Sequence, residues 1–337
     1  MKRIVQFLLL ISVLVIALAA CGSEPKENEA AGTAENNETE TEATETASGD
    51  KVVRVGYQKG NTINILKESG FLEEALEPEG ITVEWKEFTH GNTLMEGLAT
   101  GNIDFGHAAD GPGIFAQAGN KPIVYVGADL PNPEGVGVLV HKDAGISSAA
   151  DLKGKKIGAL KGGNHHYLAI LAIEEAGLGV DDVEWVYLQD AAQMRTAFET
   201  KKIDALATYD PFFAGTEIDL DTVNLTEGKE YDYPNRTFYF AHDAFYNEQP
   251  ELVETILDAI DKSDQWANEN KPEVVKLVSA MLGIDEEVIA RAIERREYGV
   301  DRINEEIIAA QQKQADVYAE IGLIPGEVDV AEYMPIK

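Results

Sequence analysis

Five short polar stretches hold the side chains best suited to gripping a small ligand: Gln58-Lys59-Gly60-Asn61, Asn92-Thr93, Asp110-Gly111-Pro112, Asn164-His165-His166 and Tyr209-Asp210-Pro211. Arg295, far along the chain, adds a guanidinium. Each stretch follows an apolar run and opens a helical one. Backbone N–H groups are unpaired at a helix start, and the helix dipole there favours negative charge, so these positions suit an anion. Amide, imidazole and guanidinium groups are suitable donors to an anion. Asp110 and Asp210 carry the opposite charge. Either can cap the helix that its Pro begins, or pair with an amine on a ligand, and the two roles are compatible. His165 and His166 do not share a helix face, and no His-x-x-x-His or Cys/His spacing accompanies them. A donor role is expected for them, with no metal and no cofactor. Nucleophilic chemistry is absent from the pattern: the only Cys is Cys21, there is no Gly-x-Ser-x-Gly elbow, and Gly158 to Gly163 lacks phosphate-loop spacing. The chain reads as a binder and not an enzyme.

The elements that position these residues are written twice. Residues 92–115 and 192–215 align at an offset of 100, with Leu94 on Met194, Leu98 on Phe198, Ile103-Asp104 on Ile203-Asp204, and Asp110 on Asp210. Each copy predicts a short amphipathic helix, a short strand and an Asp/Pro turn into a further helix. Two such units imply two similar lobes facing one another across a cleft.

The N-terminus is a separate matter. Lys2-Arg3, the apolar run Phe7 to Ala20 and the box Leu18-Ala19-Ala20-Cys21 predict a lipoprotein signal over 1–20, with Cys21 as the lipidation site. Residues 21–50 hold no aromatic and no large aliphatic side chain, which predicts an acidic disordered tether. The formal net charge is −32, and residues 51–337 carry most of it, with 51 acidic against 25 basic residues. Such a surface argues against nucleic acid and against a basic membrane patch, leaving contact with the membrane through the lipid anchor only. It also opposes an anionic ligand, so an anion site must be built from local donors.

From Lys51 the pattern alternates strand and helix, predicting an α/β body with a mostly parallel sheet flanked by helices in each lobe. Gly135 to Val140 and Thr237 to Ala241 read as strands crossing between lobes. Two crossings predict a two-segment hinge. Lobe 1 is expected over 51–138 plus 242–337 and lobe 2 over 139–241. The helical tail (251–269, 272–281, 286–294 and 304–321) is expected to return to lobe 1.

Several runs carry a family resemblance: Val55 to Gly60, Gly101 to Gly106, Asp110 with Pro112 to Ala118, Ala150 to Ile157, Lys161-Gly162 with His166, and Asp210-Pro211-Phe212. Over residues 52–330 the chain resembles substrate-binding proteins of ABC importers, in the aliphatic sulfonate and taurine group. That resemblance implies the two-lobe periplasmic-binding-protein-like (type II) fold. It also implies an extracytoplasmic, monomeric receptor on the cell membrane that passes a small organosulfonate to a permease and its ATPase subunits. The chain departs from the family pattern at Gly111, Gly113, Gly163 to His165, Leu206 and Tyr209, which predicts a reshaped cleft. The competing readings are a receptor for nitrate, bicarbonate or a pyrimidine thiamine precursor, and an enzyme or sensor module on the same plan.

Overall fold

The computed structural model describes residues 51–336; the expected signal, Cys21 and the tether lie outside the described residues. Strands run over Lys51–Tyr57 (β1), Ile81–Glu87 (β2), Phe105–Ala109 (β3), Ile123–Asp129 (β4), Val136–His141 (β5) and Lys156–Ala159 (β6). They continue with Glu184–Tyr187 (β7), Ala205–Tyr209 (β8), Thr222–Glu227 (β9), Thr237–His242 (β10) and Val300–Asp301 (β11). Helices span Thr62–Ser69 (α1), Phe71–Leu76 (α2), Gly91–Ala99 (α3), Asp110–Ala118 (α4), Asn164–Glu175 (α5) and Ala191–Glu199 (α6). The rest are Phe212–Asp219 (α7), Asp243–Glu248 (α8), Pro250–Glu269 (α9), Lys271–Leu282 (α10), Glu286–Glu294 (α11) and Glu305–Glu320 (α12).

The strands form two sheets, β11-β4-β10-β3-β1-β2 and β7-β6-β8-β5-β9. Apart from β11, both follow one plan. Three strands run parallel (β2-β1-β3 and β7-β6-β8). Next to each trio stands one strand antiparallel to both of its neighbours, β10 in the first sheet and β5 in the second. Among the described residues four strands of each sheet run the same way, so each sheet is mostly parallel as expected, with β10 and β11 reversed in the first and β5 in the second. The cause is connectivity. The parallel strands run toward the interlobe edge, whereas β5 and β10 enter there from the other lobe and must run back.

The same pairing corrects the lobe boundaries. β5 lies wholly in the second sheet and β10 wholly in the first, so the chain changes lobes within 130–135 and 228–236, earlier than the boundaries at 138/139 and 241/242. An apolar strand pattern is the same whichever sheet takes it, and only the register decides.

The duplicated stretch keeps its offset in space, with α3 and β3 at 91–99 and 105–109, and α6 and β8 at 191–199 and 205–209. Its shared Ile-Asp pair locks neighbouring strands. The backbone N–H of Arg54 donates to the Asp104 carboxylate and that of Lys156 to Asp204, each at 2.8 Å. Ile103 fills the space over Gly56, where a Cβ would meet it at 2.3 Å, and Ile203 does the same over Gly158 at 2.4 Å. A side chain at either glycine would force the Ile off its rotamer.

The long helix α9 presents Leu252, Val253, Ile256, Leu257 and Ile260 at helical spacing to the first sheet and α1, all buried. Each contributes on the order of 2 kcal/mol by leaving water. The tail helices form close to where periodicity places them, but they do not all serve lobe 1. α11 leans on α7 of the second lobe, where Val288 would lie 3.3 Å from a Cβ on Gly215. β9 was not legible in the sequence, because its alternation is weak and polar (Thr222, Asn224, Thr226), as an edge strand allows.

Candidate functional site

A cavity of about 90 Å³ opens where β4 and β8 end and β5 and β10 begin. From the first lobe come Asn61, at the N-cap of α1, and Asp129. From the second come Asn164 at the start of α5, and Tyr209 with Asp210 ahead of α7. The crossing segments supply Asn132 and Asn235. These two segments are tied together, as Asn132 N–H donates to the Pro234 carbonyl at 2.9 Å and Asn235 Nδ2 to the Asn132 carbonyl at 2.6 Å. Asn164 Nδ2 joins them through Asn235 Oδ1 at 2.7 Å, so one amide chain runs from the hinge to the second lobe. The opposite wall is apolar: Ile65 of α1, Val278 of α10, and Ile289 and Ile293 of α11.

Two arginines, adjacent in sequence, serve opposite lobes. Arg296 reaches the first: its Nη2 donates to Asp129 Oδ2 at 2.6 Å, and its guanidinium lines the cavity over the Tyr298 ring. Asp129 also accepts from Thr62 Oγ1 at 3.2 Å and from the Tyr239 hydroxyl. Burial raises the Asp129 pKa, and Arg296 opposes that rise. Arg295 turns the other way, its Nη1 spanning Asp210 at 3.3 and 3.4 Å while Nη2 donates to Glu217. Asp210 meanwhile accepts the Ala214 N–H at 3.0 Å, as a helix cap does. Burial pushes the Asp210 pKa up to about 6 despite the arginine.

The expected site residues divide accordingly. Asn61, Asn164, Tyr209 and Asp210 line the cavity, and Arg295 stands behind Asp210 rather than on the wall. Gln58 lies before α1 and off the wall; its carbonyl accepts from Asn64. Asn92 is exposed, and Thr93 is engaged at its own helix start, with its hydroxyl donating to the His90 carbonyl at 2.7 Å. Asp110 and Gly111 are sealed away from the cavity. Asp110 accepts from the Tyr233 hydroxyl and, at 2.7 Å, from Gly111 N–H; burial lifts its pKa to about 6.

His165 and His166 brace the loop between β6 and α5. Leu160 N–H donates to His165 Nε2 at 2.9 Å, which leaves the proton on Nδ1 to meet Asn164 Oδ1 at 3.1 Å. Gly162 N–H donates to His166 Nδ1 at 3.1 Å, and Nε2 faces the Tyr187 hydroxyl at 3.3 Å. Burial drives both pKa values down to about 3, so both rings are neutral and fully engaged. Among the described residues no group of His, Cys, Asp and Glu is arranged to hold a metal ion, and no helix is long and apolar enough to cross a membrane.

Sequence reasoning missed Asn132, Asn235, Asp129 and the apolar wall, and it favoured Arg295 over its neighbour Arg296, which is the one on the wall. A signal for the first two was present, since both sit against prolines (Pro131 and Pro133; Pro234) between strands. Nothing local marked the wall, which a distant stretch of chain brings in.

The arrangement has relatives. A family model described as NMT1/THI5 like matches residues 66–274. The crystal structure of the periplasmic aliphatic sulphonate binding protein SsuA from Escherichia coli superposes with a TM-score of 0.80 at 30% identity, covering 85% of this chain and 92% of that one. The alkanesulfonate-binding protein SsuA from Xanthomonas axonopodis pv. citri, bound to MOPS, gives 0.78 at 28% identity, covering 84% and 97%. The taurine-binding periplasmic protein of Escherichia coli (strain K12) is 27% identical over 61% of this chain and 66% of its own length. With more than half of its length matched by the family model and its fold superposing on the two SsuA structures, the chain belongs to the NMT1/THI5-like family and has the periplasmic-binding-protein-like fold.

Proposed function

We propose that this chain is the solute-binding component of an ABC importer, held at the outer face of the cell membrane by a lipid on Cys21. It captures a small organosulfonate between its lobes and delivers it to the permease and its ATPase subunits. One observation carries the reading: a single interlobe cavity joins a polar end of amide, phenol and guanidinium donors to an apolar wall. The Tyr209 hydroxyl has no hydrogen-bond partner among the described residues, and with Asn61, Asn164 and Arg296 it supplies donors for three sulfonate oxygens. Ile65, Ile289 and Ile293 receive the carbon tail. The strongly acidic surface gives no long-range help to an anion, so recognition is short-range and geometric. The named relatives that bind alkanesulfonates support the same chemistry.

The test is a thermal-shift and calorimetric screen with alkanesulfonates, taurine, sulfate, nitrate and pyrimidine thiamine precursors. A ligand that binds only the folded state raises the melting temperature. A sulfonate is expected to give the largest rise. A shift with nitrate or a pyrimidine, and none with any sulfonate, ends the sulfonate reading.

A further inference from the structure

We infer that Arg295 sets the cleft against ligands bearing an amine, by occupying the one carboxylate that, among the described residues, the second lobe presents to the cavity. The inference rests on the sulfonate reading and narrows it to sulfonates whose tail carries no positive charge.

Two acids line the cavity, Asp129 and Asp210. A ligand ammonium entering a site this sheltered needs a carboxylate oxygen, because an unpaired charge there is strongly disfavoured. Asp129 has none to give. Its two oxygens are taken by Tyr239, Thr62 and Arg296, and its side chain is only 4% exposed. Asp210 is the one acid whose partner set is open to change. Its cap bond to Ala214 uses one lone pair, and the remaining contact is the Arg295 guanidinium spanning both oxygens.

Arg295 is held in that place from behind. Its guanidinium lies 4.4 Å from the Phe213 ring centre, and its other nitrogen is fixed by Glu217, which is not on the cavity wall. The second negative charge of this cluster is therefore spent on locking the arginine and does not face the ligand. What else faces the ligand is neutral amides and a phenol with the Arg296 guanidinium at one end, Asn132 Oδ1 being an unpartnered amide acceptor among them, and the Ile65–Ile289–Ile293 wall at the other; this surface accepts a methyl group where an ammonium finds no charged partner. Arg295 is thus a positioning residue that acts through Asp210.

The experiment is calorimetric titration of the full-length chain with 1-propanesulfonate and with taurine, which match in size and differ in a terminal methyl against an ammonium. The wild type is expected to prefer propanesulfonate by about tenfold or more. Arg295→Met exposes Asp210 and is expected to move the affinity ratio toward taurine by about tenfold. Adding Asp210→Asn to that variant should return the ratio to the wild-type side. A purely structural role for Arg295 would weaken both ligands together and leave the ratio alone. Equal wild-type affinities, or an unmoved ratio in Arg295→Met, overturn the inference while the sulfonate reading stands. If neither compound binds the wild type, the sulfonate reading itself falls and this inference with it. The wild-type ratio needs no variant, so a folding failure of Arg295→Met leaves a decisive measurement in hand.

Discussion

Gly111 and Gly162 meet backbone to backbone across the divide between the lobes: a Cβ placed on Gly111 would lie 1.9 Å from the Gly162 carbonyl oxygen. Gly162 itself has φ +73° and abuts Phe115, so neither partner can retreat by a side-chain rotation. The start of α4 is therefore pressed against the loop before α5 and is shut off from the cavity. This contact is why the duplicated Asp residues part company, with Asp110 sealed and Asp210 on the wall.

Gly111→Ala is expected to hold the lobes apart. The backbone oxygen it meets cannot move without opening the interlobe contact. Ligand affinity should fall by about tenfold or more, and small-angle scattering should show a larger radius of gyration with ligand present. A variant that keeps wild-type affinity and size would show that the contact is dispensable.

Asp110 predicts a pH dependence whose sign is fixed. Its folded pKa, raised by burial to about 6, exceeds the ordinary 3.8. The folded state therefore binds more protons than the unfolded one between these values. The contribution of this group is most favourable below about pH 4 and is lost as pH rises through 6, by about 3 kcal/mol. Asp110→Asn should flatten that part of the stability curve in urea titrations from pH 4 to 8, and an unchanged slope would count against it.

Arg296 holds a buried charge balance. Asp264 is fully buried on α9 with both oxygens unpartnered, and burial and neighbouring Asp129 raise its pKa well above the ordinary carboxylate range. Removing the guanidinium in Arg296→Gln leaves Asp129 buried without its cation and should cost about 3–5 kcal/mol. Asp264→Asn should instead be tolerated at neutral pH, gaining about 1 kcal/mol if it changes stability at all. Denaturant melts of the two variants check the pair.

Tyr209→Phe removes one hydroxyl that has no protein partner among the described residues. Stability should stay within about 0.5 kcal/mol of wild type, while sulfonate affinity should drop about fivefold to tenfold. Calorimetry alongside a melt separates the two effects. A loss of stability with affinity intact would place the hydroxyl outside the ligand site.

Legible in the sequence were the repeated helix–strand–turn unit, the order of the main strands and helices apart from β9, and the helix starts that bear Asn61, Asn164, Tyr209 and Asp210. These rest on short-range periodicity, capping residues and glycines, which act over a few residues and are readable locally. The structure alone decided which sheet takes β5 and β10, which of the twin carboxylates faces the cavity, and which of two adjacent arginines serves which lobe. It also brought Val278, Ile289 and Ile293 to the wall from the far end of the chain. Those choices depend on strand register and on packing between segments far apart in the chain, from 65 residues for Val140 and Ala205 to 167 for Asp129 and Arg296. Neither leaves a local pattern, because an apolar strand or a charged side chain looks the same whichever partner it finds.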